Sequence, residues 1–531
     1  MILDAGKGFG QEPPRYDLCI VGAGPAGITV ALELESSGWR VCLLEAGGAS
    51  YEPRTQRLFE GEVVGQPYPP LRDTRVGALG GATTVWAGWC RPLEPLDFEP
   101  RAWCDADGWP FGWDELAPYY GRAHELCGLA AFDYDPARWS AALGPEQILP
   151  ADPSFANQIF HVNIQDFGQR YRARLERSRA IDLVLHAPVT RLLLEGESCT
   201  AAEVRTLDGH QLAIRADRFV LAAGGIENPR LLLLSAADPG GADAPGNSAG
   251  LLGRYFADHA YVDFGTLVLR EASALGFYRL EPTAPGATAM VRGVLSLRRE
   301  AAERERMLNS ALFFHPRYEA HGVFAAAEVK AWLQLWNKVN RRAVPGAAWP
   351  YLRRALRAPH RIAVATARKL AVRHGPATRW RMRAAFETSF RPENRVVLGE
   401  GRDRLGRRQA RVEWRIDDAD IESMRRVTQR FGEAVRQAGL GHLQLAFADR
   451  PPEWRRTIEP GKHHMGTTRM HRSPSLGVVD DQGRVHGSAN LFVTGSSVFP
   501  SGGYANPTLT IVALAARLGR HLRRAMPMAS G

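Results

Sequence analysis

The sequence predicts a mixed α/β (α+β) protein with one lobe on a parallel sheet and a discontinuous second lobe on an antiparallel sheet. Residues 16–48 follow the order strand, glycine-rich turn, helix, strand. Residues 259–320 and 385–416 alternate apolar and polar side chains, which is typical of antiparallel strands. The length of 531 residues exceeds that of one compact domain, so at least two lobes are expected.

The stretch YDLCIVGAGPAGITVALELESSGWRVCLLEAGG carries a dinucleotide-binding fingerprint of the Rossmann type. Gly22 permits the tight turn after the strand, Gly24 lets a pyrophosphate approach the backbone, and Gly27 allows close packing of helix on strand. The amino terminus of the helix offers free N–H groups to phosphates. Glu45 ends the second strand and can accept from ribose hydroxyl groups.

Three later segments extend this lobe. The glycine-rich stretch 76–98 suits a backbone wrapped around a flat ligand, and 182–196 contains strand pieces. Residues 217–235 repeat the order strand, glycine turn, helix, with the helix expected to begin at Glu227–Pro229.

The carboxyl-terminal part continues both lobes. Residues 417–438 form an amphipathic helix that Asp417 or Asp418 caps, and Gly439 lies just past its end. The stretch 476–522 holds a strand at Leu491–Thr494, a glycine–serine turn and a helix from about Pro507.

These motifs resemble, in family order, those of the glucose–methanol–choline (GMC) flavin oxidoreductases. The matching pieces, between residue 16 and about 522, are GAGPAG…LLEAG, LGGATTVWAG, AAGGIENPRLLLLS, HHMGT, GVVD…NLFVTGSSVFP and ANPTLTIVALAARL. The resemblance implies bound FAD, a two-lobed fold and oxidation of a small-molecule alcohol to a carbonyl compound. It implies an FAD-binding domain of residues 14–100, 175–258 and 455–525. The substrate-binding domain is then 101–174 and 259–454, with a basic insertion at about 325–383.

The resemblance also implies two catalytic residues. His463 is the histidine of an HxxGT string, and Asn506, in ANPT, matches the second family position. Alcohol oxidation needs a base near the substrate hydroxyl, and histidine has a suitable pKa. Adjacent residues of an extended chain point opposite ways, so one of His463 and His464 is expected to be structural. Asn506 precedes Pro507, so a helix cap is its alternative role.

Further expected FAD contacts complete the site. Beyond the amino-terminal positions they are implied by the resemblance. They are Gly22, Gly24, Gly27, Glu45, Gly81, Thr83, Val189, Ala223, Asp480, Gly495, Ser496, Asn506 and Pro507. Some family members attach FAD covalently through a histidine in the glycine loop. GGATTVWAGWC has none, which favours noncovalent FAD, and Trp86 stands where many members carry asparagine.

The basic charge is concentrated in one segment. Residues 330–383 contain fourteen Lys/Arg and no Asp/Glu, together with Trp332, Trp336, Trp349 and Trp380, while the whole chain carries +10. Three interpretations are open: a solvated charged face with packed tryptophans, docking to an anionic membrane surface, or recognition of an acidic substrate or partner. Charge alone would also permit nucleic acid, but no other feature supports it, so no nucleic-acid partner is expected.

The remaining observations narrow the class. The six cysteines form no CxxC pair and no metal-binding spacing, so reduced buried thiols, no metal and a cytoplasmic setting are expected. No signal sequence and no spanning segment is predicted, which leaves a peripheral contact with the inner face of the membrane as an option. The electron acceptor is O2 or a separate carrier. The alternatives to alcohol oxidation are a lyase or decarboxylase on the same fold and a binding protein without activity.

Overall fold

A computed structural model gives the fold and describes residues 1–7, 14–104, 107–238, 240–316, 359 and 376–524. The strands, in chain order, are β1 (Ile2–Asp4), β2 (Tyr16–Val21), β3 (Val41–Leu44), β4 (Gly61–Gly65), β5 (Trp89–Cys90), β6 (Phe155–Val162), β7 (Ile181–Leu185), β8 (Val189–Glu195), β9 (Ser198–Arg205), β10 (Gln211–Leu221), β11 (Ala260–Ser273), β12 (Glu281–Pro282), β13 (Met290–Leu297), β14 (Ser310–Pro316), β15 (Ala377–Phe386), β16 (Arg395–Arg402), β17 (Arg408–Trp414), β18 (Gly441–Leu445), β19 (Glu459–Pro460) and β20 (Leu491–Val493). The α-helices are α1 (Pro25–Leu34), α2 (Pro53–Gln56), α3 (Pro95–Phe98), α4 (Trp113–Cys127), α5 (Pro136–Leu143), α6 (Phe167–Arg177), α7 (Gly224–Leu234), α8 (Arg299–Glu305), α9 (Asp418–Gln437), α10 (Pro451–Thr457) and α11 (Thr508–Arg524).

The first sheet confirms the predicted parallel lobe. Its order is β1-β7-β3-β2-β10, and β20 joins the other edge of β10. All pairings in this part are parallel, whereas the amino-terminal half of β10 pairs antiparallel with β9, which continues to β8. The helices α1 and α11 pack together beside this sheet. The carboxyl ends of its parallel strands therefore meet along one edge, where ligands bind in folds of this type.

The second sheet confirms the predicted antiparallel lobe. Nine strands are ordered β18-β11-β15-β14-β13-β6-β5, with β12 on β13 and β19 on β11. One of its faces packs around Phe155, Phe314, Trp380 and Phe431, among the buried residues of the second hydrophobic core. Helix α9 begins after Asp417, whose side chain accepts from the Asp420 backbone N–H at 2.8 Å, as the capping pattern predicts.

A third sheet was not predicted. The hairpin β16–β17 pairs antiparallel, as expected, but it does not join the nine-stranded sheet. Instead β17 pairs in parallel with β4, a strand from the amino-terminal part of the chain. The sequence did not predict this pairing, because periodicity shows that a segment is a strand but not which strand it pairs with.

The start of α7 was predicted wrongly. The helix begins at Gly224 and carries Pro229 in its interior, whereas the sequence suggested a start at Glu227–Pro229. The Asn228 side chain accepts from the Ala223 backbone N–H at 2.8 Å and holds the earlier turn in place. A helix can therefore begin before its proline when a side chain fixes the preceding turn.

The basic insertion lies mostly outside the described residues. Trp332, Trp336 and Trp349 are among the residues not described, so the three interpretations of the segment stay predictions. Its last part, from Ala377, belongs to the central strand β15, where Trp380 is fully buried. This tryptophan is a core residue and not part of an exposed basic face.

Three expectations concern the chain as a whole. All six cysteines are free and buried, as predicted. Within the ranges given above, no helix has the length and apolarity needed to cross a membrane. The same residues contain no group of three or more His, Cys, Asp or Glu side chains that could hold a metal ion.

A buried ion pair fastens the segment after α3 to the end of β15. Arg101 donates to both oxygens of Glu387 at 2.7 and 2.6 Å, and the two side chains are only 1% and 3% exposed. Glu387 also accepts from the backbone N–H groups of Asn309 and Gly503 at 3.2 and 3.1 Å. The segment after α3, the residue just before β14 and the loop before α11 are therefore all bound to one carboxylate.

We predict that Arg101→Met lowers the free energy of unfolding by about 3–5 kcal/mol, because it leaves the buried Glu387 carboxylate without its cation. Arg299→Met is the matched control. Arg299 also donates twice to one carboxylate, that of Glu99, but both side chains are more than 40% exposed. Its loss should cost less than about 1 kcal/mol. Comparison of urea unfolding midpoints decides, and equal effects of the two changes would contradict the prediction.

Candidate active site

A cavity of about 830 Å³ lies at the carboxyl edge of the parallel sheet and extends toward the antiparallel sheet. It brings together most of the residues predicted from sequence. Those that line it are Gly22, Gly24, Glu45, Gly81, Val189, Ala223, His463, Gly495, Ser496, Asn506 and Pro507. Gly27, Thr83 and Asp480 are not among its lining residues.

Two glycine turns form the floor of the cavity. Gly22 has φ +107°, and a Cβ there would lie 2.7 Å from the Ala222 carbonyl oxygen. Gly24 has an ordinary φ of −80°, and a Cβ there would meet only the Cα of Gly81, at 4.0 Å. The protein itself therefore does not require glycine at position 24. Since Gly24 lines the cavity, a bound group that passes over it supplies the reason.

The donor set beside these turns fits a dinucleotide. No side chain caps α1, so the N–H groups of its first turn are free to bind a phosphate. The buried Glu45 carboxylate accepts from the backbone N–H groups of Ala23 and Gly47 at 3.1 and 3.0 Å, which fixes its position in the cavity wall. Burial raises the pKa of Glu45 against these two hydrogen bonds. Its remaining lone pairs suit ribose hydroxyl groups.

The three residues outside the lining have structural partners. A Cβ on Gly27 would overlap the carbonyl oxygen of Gly22, so this glycine serves the packing of α1 on β2, as predicted. Thr83 donates to the Gly80 carbonyl at 2.6 Å and accepts from the Phe167 N–H at 3.1 Å. Asp480 accepts from two backbone N–H groups of its own turn, those of Gln482 and Arg484, at 2.9 Å each. Each shapes a backbone segment near the cavity.

His463 and Asn506 lie next to each other in the wall of the cavity. The His463 Nε2 lies 3.2 Å from the Asn506 Nδ2, and the amide nitrogen can only donate. His463 precedes the turn at Gly466, and Asn506 precedes the first turn of α11. Residues 43 positions apart in sequence therefore share one point in the cavity.

His259 was missed by sequence reasoning. It is fully buried, and its Nδ1 lies 2.8 Å from the His463 Nδ1 while its Nε2 lies 2.9 Å from the Gly503 carbonyl oxygen. A carbonyl oxygen only accepts, so the hydrogen of His259 is assigned to Nε2. Burial lowers the pKa of His259 to about 4, so the ring is neutral and its Nδ1 is an acceptor.

This bond determines the tautomer of the catalytic candidate. His463 must donate through Nδ1, and therefore the Nε2 of its neutral ring carries a lone pair. Burial, followed by the neighbouring His259 and His464, holds the pKa of His463 well below its ordinary value. The ring is thus a neutral base with its lone pair on the side of Asn506. The one sequence signal for His259 was its position just before a predicted strand, in FADHAYVDF.

Asp258 holds the backbone of residues 461–465, called here the histidine segment. Its carboxylate accepts from the N–H groups of Lys462 and His463 at 2.9 and 2.8 Å and also accepts from the Tyr68 hydroxyl. Lys462 has φ +64°, an uncommon conformation for a residue with a side chain. Three bonds to one buried carboxylate stabilise this bend and so aim His463 at the cavity.

His464 has a different environment from His463. Its ring packs near Tyr68 and Phe256, with centroids 6.2 and 5.9 Å away, and its Nε2 is buried without a hydrogen-bond partner. Burial and the nearby Arg75 and Lys462 lower its pKa to about 3. His464 also lines the cavity but makes no hydrogen bond to Asn506, so only His463 has the geometry of a base.

Trp86 lies at the rim of the cavity. Its Nε1 donates to the Gln165 carbonyl oxygen at 3.3 Å, and the neighbouring Val85 is half exposed. The indole N–H is therefore used by the protein itself.

Family models match both ends of this architecture. Residues 17–232 match the model described as FAD dependent oxidoreductase, and residues 391–515 match the model described as GMC oxidoreductase. The two matched ranges contain the glycine turns, Glu45, His463 and Asn506.

Curated relatives cover nearly the whole chain. The 2-methyl-1,2-propanediol dehydrogenase of Mycolicibacterium austroafricanum is 26% identical over 96% of this chain and 95% of its own length. Paromamine 6'-oxidase of Streptomyces fradiae is 23% identical over 94% and 90%. Among solved structures, pyridoxine 4-oxidase from Mesorbium loti has a TM-score of 0.59 at 20% identity, over 96% of this chain and all of its own. This structural likeness shows the fold.

We predict that Gly24→Ala weakens FAD binding about tenfold or more, because a methyl group overpacks the cavity floor by about 1–3 kcal/mol. The FAD-free protein should unfold at nearly the wild-type temperature, since the backbone at Gly24 suits alanine. Gly27→Ala is the control and should destabilise the FAD-free protein itself. FAD in the supernatant after acid precipitation and FAD fluorescence titrations measure binding. Wild-type affinity in Gly24→Ala would refute this path for the cofactor.

We predict that the rate of flavin reduction by substrate stays level from about pH 8 to about pH 6.5 and falls only at lower pH. The lowered pKa means that His463 loses its proton at a lower pH than free histidine, so the base is ready throughout this range. Anaerobic stopped-flow reduction across pH measures this. An acidic limb centred above pH 7 would contradict it.

Proposed function

We propose that the chain acts as an FAD-dependent oxidoreductase of the GMC type on CH–OH donors, in which His463 and Asn506 hold the hydroxyl group of an alcohol that loses its hydride to FAD and becomes a carbonyl compound. One observation carries the proposal: the Nε2 lone pair of a neutral His463 lies 3.2 Å from the Asn506 amide nitrogen inside the cavity. A hydroxyl group that lies beside both nitrogens can donate to the His463 Nε2 and accept from the Asn506 Nδ2.

The proton step follows from this placement. The substrate hydroxyl group lies beside both side chains, donates its hydrogen to His463 Nε2 and accepts from the second hydrogen of Asn506 Nδ2. As the O–H bond breaks, His463 takes the proton and becomes a cation held by His259 through the Nδ1 contact. Asn506 stabilises the developing negative charge on the oxygen. Two anchors on one oxygen also fix the reacting carbon, which is worth several kcal/mol.

Bound FAD supplies the acceptor for the hydride that leaves the same carbon. The residues that would hold it are the cavity residues of the two glycine turns together with Glu45, Val189, Gly495 and Ser496. The amino terminus of α11, at Thr508, adjoins the cavity and favours negative charge there. Noncovalent attachment is proposed because the glycine loop 76–98 contains no histidine. The acid precipitation described above also tests it, since covalently bound flavin stays with the pellet.

The wider assignments are proposals of the same kind. The FAD-binding domain is 14–100, 175–258 and 455–525, and the substrate-binding domain is 101–174 and 259–454. The sheet of β4, β16 and β17 links them. The substrate is a sugar, polyol or lipid-like alcohol, and O2 or a separate carrier accepts the electrons. Six buried free thiols support a reducing cellular compartment. The relatives named above are dehydrogenases and oxidases, and no observation favours a lyase or decarboxylase.

We predict that His463→Ala slows anaerobic flavin reduction by about 10²–10⁴-fold, the usual contribution of a general base. Asn506→Ala should slow the same step, because the negative charge that develops on the substrate oxygen then lacks its hydrogen-bond donor. The FAD content should stay unchanged in both variants. His464→Ala is the matched control: it removes the neighbouring imidazole but not the Asn506 contact, and its rate should fall far less.

The substrates for this test are a panel of sugars, polyols and long-chain alcohols with the purified FAD-loaded protein. Reduction at the wild-type rate in His463→Ala would refute the role of this histidine. A larger loss in His464→Ala than in His463→Ala would exchange the roles of the two residues.

A further inference from the structure

Tyr261 and Arg383 form a cavity wall beside the two proposed catalytic residues. The Tyr261 ring lies 6.2 Å from the His463 ring between centroids, and its hydroxyl lies 3.5 Å from the Asn506 Nδ2. The guanidinium carbon of Arg383 lies 5.2 Å from the centre of the Tyr261 ring. Both residues line the cavity. When the substrate hydroxyl contacts Asn506, the guanidinium group of Arg383 is therefore close by, on the Tyr261 ring that adjoins Asn506.

Arg383 is held in place by acids that are more exposed than itself. It donates to Glu459 at 2.6 Å and to Asp263 at 3.4 Å. The side chains of these acids are 65% and 40% exposed, against 25% for Arg383. Exposed ion pairs contribute little to stability, so such partners can be exchanged for another anion at small cost. Arg383 can therefore turn its planar donor fork to a group in the cavity.

The sheet face behind this wall is electropositive. Burial lowers the pKa of His315 to about 3, and the nearby Arg292, Arg381 and Arg383 add to the effect. The three arginines outnumber Asp263, the acid that pairs with Arg381 and Arg383. Positive charge beside a cavity attracts an anion into it.

Arg292 is a buried cation that carbonyl oxygens hold. It is 7% exposed, and among the described residues its guanidinium donates to the carbonyl oxygens of Tyr278 and Phe314. In the described part of the chain no carboxylate forms an ion pair with it. Its guanidinium lies 5.5 Å from the ring of Trp89, which lines the cavity. A buried unpaired charge is costly, and a nearby anion offsets that cost.

A second cationic residue adjoins the proposed base in the chain. Lys462 lines the cavity directly before His463, and its ammonium group donates to the Asp73 carbonyl oxygen at 3.4 Å. Across the ranges that the structure covers, Lys462 has no carboxylate partner. The cavity that holds the proposed base is thus lined by Arg383 as well as Lys462.

We propose that the substrate is an alcohol that carries a carboxylate or phosphate group, which Arg383 binds beside Tyr261 while His463 and Asn506 hold the hydroxyl. The inference rests on the proposed function and narrows its substrate class. The planar guanidinium fork matches both oxyanions, whereas a cationic alcohol would meet Arg383 and Lys462 with the same charge.

A matched set of six-carbon compounds tests this proposal. D-gluconate, D-glucitol and D-glucamine share one polyol chain and differ by a terminal carboxylate, hydroxyl or ammonium group, and glucitol 6-phosphate replaces carboxylate by phosphate. Anaerobic flavin reduction gives kcat/KM, and perturbation of the flavin absorbance gives the Kd of any compound that is not oxidised. We expect the kcat/KM of one of the anions to exceed that of glucitol by about tenfold or more, and that of glucamine to be the lowest. The better of the two anions identifies the oxyanion.

Variants of one strand assign the effect to Arg383. Arg383→Gln should bring the anion-to-glucitol ratio close to one, and Arg383→Lys, which keeps the charge but loses the fork, should give an intermediate ratio. Arg379→Gln is the control, since it removes an exposed arginine four residues away on β15 and should keep the wild-type ratio.

The outcomes separate this inference from the proposed function. No preference for an anion, an equal loss for all compounds in Arg383→Gln, or no response to any of the four compounds would overturn the inference. A missing charge ranking with oxidation that still needs His463 contradicts the inference alone. Oxidation that survives in His463→Ala contradicts the proposed function.

Discussion

The buried ion pair of Arg101 and Glu387 is the first link of a hydrogen-bond chain that ends at the proposed base. Glu387 accepts from the Gly503 N–H, and the Gly503 carbonyl accepts from His259, which in turn accepts from His463. Each acceptor in this chain allows only one direction of donation, so the hydrogen positions follow from one another. The lone pair on Nε2 of the His463 ring is therefore determined by groups that do not line the cavity. Arg101, Glu387 and His259 are buried, and hydrogen bonds are stronger in a buried environment than in water.

Backbone and side chains divide the work of the site. The cofactor end of the cavity is made of glycine turns and helix amino termini at the carboxyl edge of the parallel sheet, which suit a phosphate-bearing ligand. The catalytic end is made of His463 in the segment after β19, Asn506 in the loop before α11, and Tyr261 and Arg383 of the antiparallel sheet. Because these residues lie far apart in the chain, their alignment depends on contacts between distant segments, among them the pairing of β4 with β17 and the hydrogen bond from the Gly503 N–H to Glu387.

The parts of the site that could be predicted from sequence are those whose signal is local. The glycine fingerprint, Glu45 and the HxxGT string each lie within a short segment, and the structure brings Gly22, Glu45 and His463 to one cavity. His259 could not be found in this way. It contacts His463 across 204 residues of sequence, and a lone histidine before a strand is more often a core residue. The partner of β17 was missed for the same reason, since alternation does not identify a neighbour.

The sequence by itself determined the fold class and a dinucleotide-binding turn, because these depend on residue types at fixed short spacings, while the family resemblance of its motifs implied FAD and His463. Only the tertiary structure decided which of two adjacent histidines has a partner across the cavity, which tautomer His463 adopts, and that Arg383 lies beside Tyr261. These properties depend on distances between segments far apart in the chain, on burial and on the direction of hydrogen bonds. They arise when packing brings strands β11 and β15, the histidine segment and the amino terminus of α11 together.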